Sequence, residues 1–332
     1  MEGRPKCDEF LKETERIARN LREGRIMGST EAAYQVLNIL KKAAEKCDSG
    51  FPHFIRVAIP LMIQARPTSI VMVNLTREFL EEFIRLAKEK GVDEAVGHVP
   101  RIINGIIERV EMVKECVATL GSRRITDGDV VLTHSYSSTI LELFKKAYDR
   151  GVKFSVYVTE SRPIGEGKIA ATKISKLGID TTLIVDSAVR FVMKRINKVF
   201  VSADAVAANG AVVNKVGTSA IALAAKEARV RLYVTAGTYK MGLETVFGEL
   251  IEGVVLSDAN LIVPRDRISE LAGKVLVRAP LFDVTPPEYI DAIITEVGVI
   301  APQAVPLLIK EVYGWPPKVP SIESLISEVE NL

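Results

Sequence analysis

The sequence predicts an α/β protein in two parts: an N-terminal helical bundle, then a Rossmann-like domain built on a doubly wound parallel sheet. Three observations predict it. Apolar residues recur at helical spacing through the first ~120 residues. After Gly121 short β-rich runs alternate with helical stretches. Those runs are apolar almost throughout, as in a parallel sheet covered on both faces. At 332 residues the chain is long enough for both parts. The expected domains are residues 1–121, helical, and 122–332, α/β, with ligand binding in the second.

In the helical half, Ala33, Val36, Leu37 and Leu40 fall on one helix face, with Ser29 or Thr30 as its expected cap. Leu80, Phe83, Ile84 and Ala87 repeat the pattern, as do Ile102, Ile106, Val110 and Val113. Pro52, Pro60 and Pro67 are expected to mark element ends. In the second half the predicted strands are 129–134, 154–158, 181–185, 198–203 and 231–236. Helices are expected around Ile140–Tyr148 and over 167–177, 187–195 and 217–228. In such a sheet, ligands gather at the carboxyl ends of the strands. Thr133, His134 and Ser135 lie at the first of these ends, Thr159, Glu160 and Arg162 at the second, and Asp186 and Ser187 at the third. Asp204 follows the fourth strand, and Thr238 and Lys240 the fifth.

Residues 204–218, DAVAANGAVVNKVGT, carry the most chemistry. An acid closes a strand, a small-residue loop follows at Asn209-Gly210-Ala211, and Asn214-Lys215 and Gly217-Thr218 open an alanine-rich helix. Backbone N–H groups and the positive end of a helix attract a phosphate, and Lys215 adds a charge. The same turn has a purely structural reading, since many strand-to-helix turns carry Gly and Lys. Neither a Walker loop nor a dinucleotide glycine fingerprint is present, which argues against a nicotinamide cofactor. With Arg162, Lys215 and Lys240 as cations and Asp186 and Asp204 as acids, the expected ligand is phosphorylated and rich in hydroxyls.

Composition narrows the classes. Lys and Arg number 44 against 42 Asp and Glu, a net charge of +2 that argues against a nucleic-acid coat or a polybasic membrane surface. No apolar run approaches a membrane span, and the charged start lacks a signal peptide's core, so the expected location is the cytoplasm. Cys7, Cys47 and Cys116 are too few and too scattered for a disulfide framework, and no Cys or His spacing suits zinc. Gln occurs only at 35, 64 and 303, in keeping with a thermophile.

The segments VLTHSYSS (131–138), VYVTESRP (156–163), SADAVAANGAVVNKVGT (202–218), TAGTYK (235–240) and FDVTPPEYIDAIITEVGVIAPQAV (282–305) resemble one superfamily. It holds the alpha, beta and delta regulatory subunits of translation initiation factor 2B, archaeal ribose-1,5-bisphosphate isomerase and methylthioribose-1-phosphate isomerase. The block at 282–289 looks like the archaeal isomerases, which use a cysteine and an aspartate. The aspartate matches Asp204, but the cysteine position is Ser135. A thiol ionises near neutrality, with a reference pKa of about 8.5, and an alkanol hydroxyl far less readily. Ser135 therefore needs an adjacent base or a water, and His134 is expected to point to the opposite face. The isomerases' phosphate-binding Arg-Gly-Ala loop corresponds to Arg22–Gly28 here, which keeps Arg25 and two glycines but not the motif. Gly237 stands where archaeal isomerases tend to have an acid.

The resemblance thus implies two functions. The leading one is an initiation-factor-2B-like regulatory protein that binds a sugar phosphate or nucleoside monophosphate without turning it over. The alternative is an aldose–ketose isomerase of ribose 1,5-bisphosphate or methylthioribose 1-phosphate, with Asp204 and Ser135 catalytic. In both, Arg25, Arg162, Asn214, Lys215, Gly217 and Lys240 hold the ligand. No metal or other cofactor is implied, and a homo-oligomer, dimer or hexamer, is expected. Initiation factor 2 or a related subunit is the expected protein partner.

Overall fold

A computed structural model describes residues 4–47, 50–67, 69–247, 255–263, 265–270 and 275–332. The chain divides into two compact units, 1–112 with 315–332 and 113–314. The division falls inside a long helix rather than at 121, and the last residues fold with the helical unit.

In the helical unit the chain forms α1 (Arg4–Arg22), α2 (Ser29–Ala44), α3 (Phe51–Ala65), α4 (Ile70–Lys90) and the first part of α5 (Val92–Ser122). α1 packs on α3, α2 on α4, and the last helix, Ile322–Glu330, on α3 and α4. Ala33, Val36, Leu37 and Leu40 are buried together, as their spacing predicts, and so are Leu80, Phe83, Ile84 and Ala87. On α5 the buried stripe runs through Val99, Ile103, Ile106 and Val110, one position off the expected Ile102. Gly28, with φ 80°, takes the N-cap of α2, and Ser29 and Thr30 lie buried in its first turn. Pro60 does not end a helix, because α3 runs through it and forgoes one backbone N–H bond. Cys7 and Cys47 are paired as a disulfide, with Cα atoms 5.2 Å apart. That single link falls short of a framework but was not legible from spacing.

The second unit alternates strands and helices. Its elements begin with β1 (Val130–His134), α6 (Ser138–Asp149), β2 (Ser155–Thr159), α7 (Glu166–Ser175) and β3 (Asp180–Ile184). They continue with α8 (Val189–Val192), β4 (Lys198–Ser202), β5 (Ala205–Ala207), β6 (Val212–Lys215), α9 (Thr218–Ala228), β7 (Arg231–Thr235) and β8 (Met241–Gly242). A small ribbon, β9 (Val255–Leu256) with β10 (Ala279–Pro280), precedes β11 (Phe282–Thr285), β12 (Ala292–Thr295), β13 (Gly298–Ile300) and α10 (Val305–Tyr313).

The main sheet has the order β3-β2-β1-β4-β7-β12-β13 and is parallel except for β13. The predicted doubly wound sheet is therefore present. Valine-rich strands fill its core, where Val131, Val156, Val158, Phe144, Phe200, Tyr233 and Ile294 are buried together. The order reverses between β1 and β4, so the crevice at their carboxyl ends is the expected ligand position. A second sheet, β11-β6-β5-β8, is built from the residues that follow β4 and from 282–285. It has no counterpart among the predicted strands. No described helix is long and apolar enough to cross a membrane.

Candidate functional site

Strand β1 ends at His134, and the next residue, Ser135, takes a left-handed conformation with φ 64°. That region is uncommon for a residue with a Cβ, and such residues cluster at functional sites. His134 is buried and held at both ring nitrogens. Its Nε2 lies 2.9 Å from the Val216 carbonyl and its Nδ1 2.5 Å from Thr159 Oγ1. The carbonyl can only accept, so the proton is assigned to Nε2, and Nδ1 accepts from the threonine hydroxyl. Burial pulls the His134 pKa down, although Asp186 acts the other way. The ring is thus a neutral strut. A Cβ at Gly217 would stand 3.1 Å from His134 Cε1, and Gly217 has φ 105°, so glycine suits this turn twice over.

The group that meets Ser135 comes from α7. Ser135 Oγ donates to Glu166 Oε2 at 2.6 Å. Glu166 opens α7 behind Gly165 (φ 84°), so its carboxylate lies in the first turn, where the helix dipole favours an anion. At Gly167 a Cβ would fall 1.7 Å from the Thr159 carbonyl oxygen. Only glycine lets α7 start so close to the end of β2. From β6, Lys215 Nζ reaches 3.4 Å from the same Oε2 and stands 4.7 Å from the Phe282 ring centroid. Ser135, Glu166 and Lys215 are 6%, 4% and 7% exposed, so a hydroxyl, a carboxylate and an ammonium share one buried contact.

Asp204 follows β4, the strand beside β1, and is buried. Its N–H donates to the Val213 carbonyl at 2.8 Å, which starts the pairing of the second sheet. Lys240 is buried too. Its Nζ donates to the Ala203 carbonyl at 2.7 Å and to Ser202 Oγ at 3.3 Å, fixing the segment just before Asp204.

The other expected ligand residues have different surroundings. Asn209-Gly210-Ala211 forms the turn between β5 and β6, with Gly210 at φ 84° and no room for a Cβ beside the Pro302 backbone. Two of the amide groups that open α9 are taken by a carboxylate of the chain itself. Gly217 N–H donates to Asp283 Oδ2 at 2.7 Å, and Ser219 N–H to the same carboxylate at 3.2 Å. Burial raises the Asp283 pKa, and these two bonds act against that rise. Asn214 Nδ2 donates to Thr218 Oγ1 at 3.0 Å, and that hydroxyl donates to the Lys215 carbonyl at 2.6 Å. Arg162 is exposed, and its guanidinium donates to the Leu261 and Ile262 carbonyls. Asp186 accepts from the Ser161 and Arg162 amides at 2.8 and 2.7 Å, which fixes the loop after β2. Arg25 belongs to the helical unit, between α1 and α2, and pairs with Glu23 at 2.7 Å. At Gly237 a Cβ would meet the Tyr239 ring and the Val113 side chain at 2.5 Å, so an acid here requires those side chains to shift.

Sequence reasoning thus reached Ser135, Asp204, Lys215 and Lys240 but not Glu166 or Asp283. Glu166 had one local sign, an acid between two glycines just after a strand. Its partners lie 31 and 49 positions away and only the fold unites them.

The fold and site define an α/β domain of the doubly wound class, with buried polar groups at the carboxyl edge of its sheet. The chain belongs to the initiation factor 2 subunit family, whose model matches residues 23–302. It is 38% identical to a ribose 1,5-bisphosphate isomerase of Pyrococcus furiosus, over 92% of this chain and 96% of that protein. Among solved structures it is similar to the translation initiation factor eIF-2B of Pyrococcus horikoshii OT3. There the TM-score is 0.72 at 29% identity, covering 87% of this chain and 97% of that one. The tetrameric eIF2B-beta2-delta2 complex from C. thermophilum shares the fold, with a TM-score of 0.67 at 20% identity, over 91% of this chain and 95% of that one.

Proposed function

We propose that this chain binds a phosphorylated sugar at the carboxyl edge of its parallel sheet and interconverts the aldose and ketose forms. An aldose–ketose shift moves one proton between neighbouring carbons and another between their oxygens, so it needs acid–base groups on the reacting atoms. The observation that supports the reading is the buried hydrogen bond from Ser135 Oγ to Glu166, with Asp204 just past the end of the adjoining strand. Asp204 and Ser135 take the two catalytic positions, and Lys215 and Lys240 supply positive charge near the phosphate. The name of the Pyrococcus furiosus relative supplies the substrate class, a ribose bisphosphate. Turnover assays with ribose 1,5-bisphosphate and methylthioribose 1-phosphate test it, with Asp204→Asn as the inactive control. Product from neither substrate sinks the reading.

A second reading has its own support. The family resemblance aligns Ser135 with the isomerases' cysteine and Arg22–Gly28 with their phosphate loop, whose motif is not kept here. These features favour a regulatory protein that binds a sugar phosphate or nucleoside monophosphate, works with initiation factor 2, and turns nothing over. Calorimetric binding without turnover is its expected signature. In either case we expect a homo-oligomer formed through the α/β unit, where Val297 and Leu307 leave apolar side chains exposed. Light scattering decides: a stable 36.4 kDa monomer is the contrary result.

A further inference from the structure

We propose that Glu166 is the proton reservoir that works through Ser135, so that hydroxyl and carboxylate together replace one thiol. The inference rests on the isomerase reading and names a residue to which that reading assigns no proton. A serine hydroxyl is a weak acid and a weak nucleophile until an adjacent base takes its proton. Three groups could be that base. His134 is excluded because Nε2 is committed to the Val216 carbonyl and Nδ1 to Thr159. Asp204 lies just past the end of the neighbouring strand and serves the other proton of the shift. Glu166 is in contact, accepting from Ser135 Oγ at 2.6 Å, within the 2.6–3.2 Å reach of a general base.

The surroundings fit a relay rather than a surface contact. Gly165 and Gly167 bring Glu166 to the end of β2 at the start of α7, where the dipole favours a carboxylate. Lys215, 3.4 Å from the same oxygen, balances its charge. The left-handed backbone of Ser135 turns that residue out of the line of β1. When a substrate proton leaves, it bonds to Ser135 Oγ as the Oγ–H bond breaks, and the released proton bonds to Glu166 Oε2. The electron pair of the broken substrate bond stays on the substrate. In the second half Glu166 returns its proton to Oγ and Ser135 gives one to the neighbouring substrate atom, restoring both groups. Glu166 touches Ser135, not the substrate, so it is a positioning and relay residue.

Steady-state kinetics on ribose 1,5-bisphosphate test this with four proteins: wild type, Glu166→Gln, Ser135→Cys and the double variant. In the serine background Glu166→Gln is expected to lower kcat by about 10²–10⁴-fold, the usual span for an acid–base group, with KM changed less than about threefold. In the cysteine background, where the thiol supplies its own acidity, the same change is expected to lower kcat less than about tenfold. Glu166→Asp, which keeps a carboxylate, is expected to retain more kcat than Glu166→Gln. Equal losses in both backgrounds, or a change confined to KM, overturn the relay and leave the isomerase reading standing. A wild type that is inactive while Ser135→Cys turns over also overturns it. Absence of turnover from every variant removes the isomerase reading and the relay with it. Glu166→Gln leaves Lys215 buried without its anion, so thermal melts accompany the kinetics. If that variant does not fold, Glu166→Gln/Lys215→Met takes its place.

Discussion

Two carboxylates at the carboxyl edge of this molecule look alike in sequence and differ in their surroundings. Asp283 receives two backbone N–H bonds at the start of α9, so its oxygens complete a helix end. Glu166 accepts a hydrogen bond from the hydroxyl of a left-handed serine and faces a buried ammonium. The first bond set is spent on main-chain groups that never change protonation. The second joins groups that can exchange protons. The difference shows how a cap and a reactive acid are told apart: by what donates to them, not by burial or by position at a strand end.

Substitutions can break or sharpen this contrast. The largest effect is expected at Asp204. Asp204→Asn keeps the size and removes the acid, so kcat is expected to fall about 10²–10⁴-fold in the isomerase assay. A loss below threefold would remove Asp204 from the chemistry. Next comes Lys215→Met. It leaves Glu166 buried without its cation, and breaking such a pair destabilises by about 3–5 kcal/mol. Urea unfolding measures this, and an unchanged midpoint would show that the pair is solvated in solution. Asp283→Ala is expected to act as cap loss alone, about 0.5–2 kcal/mol of stability with kcat unchanged. Should it abolish turnover instead, the division between the two carboxylates fails.

The smallest expected effect is a pH dependence. Burial lowers the His134 pKa, so the folded state keeps the ring neutral while the unfolded chain takes up a proton below its ordinary value near 6.5. The stabilisation is present above that pH and is lost as pH falls through it. The melting temperature should therefore drop between about pH 7 and pH 5, and His134→Asn should flatten that part of the slope. An identical slope in the variant would assign the dependence to other groups.

Five of the parallel strands were legible because each is a five-residue β-rich run such as VVLTH or KVFVS between helical stretches; β12, four residues long, lay outside the expected strands. The helix faces were legible from spacing alone. The second sheet was not. Its strands are two to four residues long and pair across distance, as in Phe282 with Lys215. In the stretch 204–218, likewise, sequence could not show that the Asn-Gly turn lies against Pro302 and that Asp283 accepts from the Gly217 amide. At the site, Ser135 and Asp204 announced themselves through strand ends. Glu166 did not, because an acid in the first turn of a helix is ordinary and only folding places Ser135 and Lys215 against it.

The central claim is that the carboxyl edge of this sheet carries out proton transfer on a phosphorylated sugar. The most direct measurement follows ribose 1,5-bisphosphate by phosphorus NMR with wild type and with Glu166→Gln at equal concentration. The account expects the ketose bisphosphate to appear with wild type and at least about 100-fold more slowly with the variant. Equal rates for the two proteins remove only the Glu166 relay, whereas no product from wild type contradicts the claim.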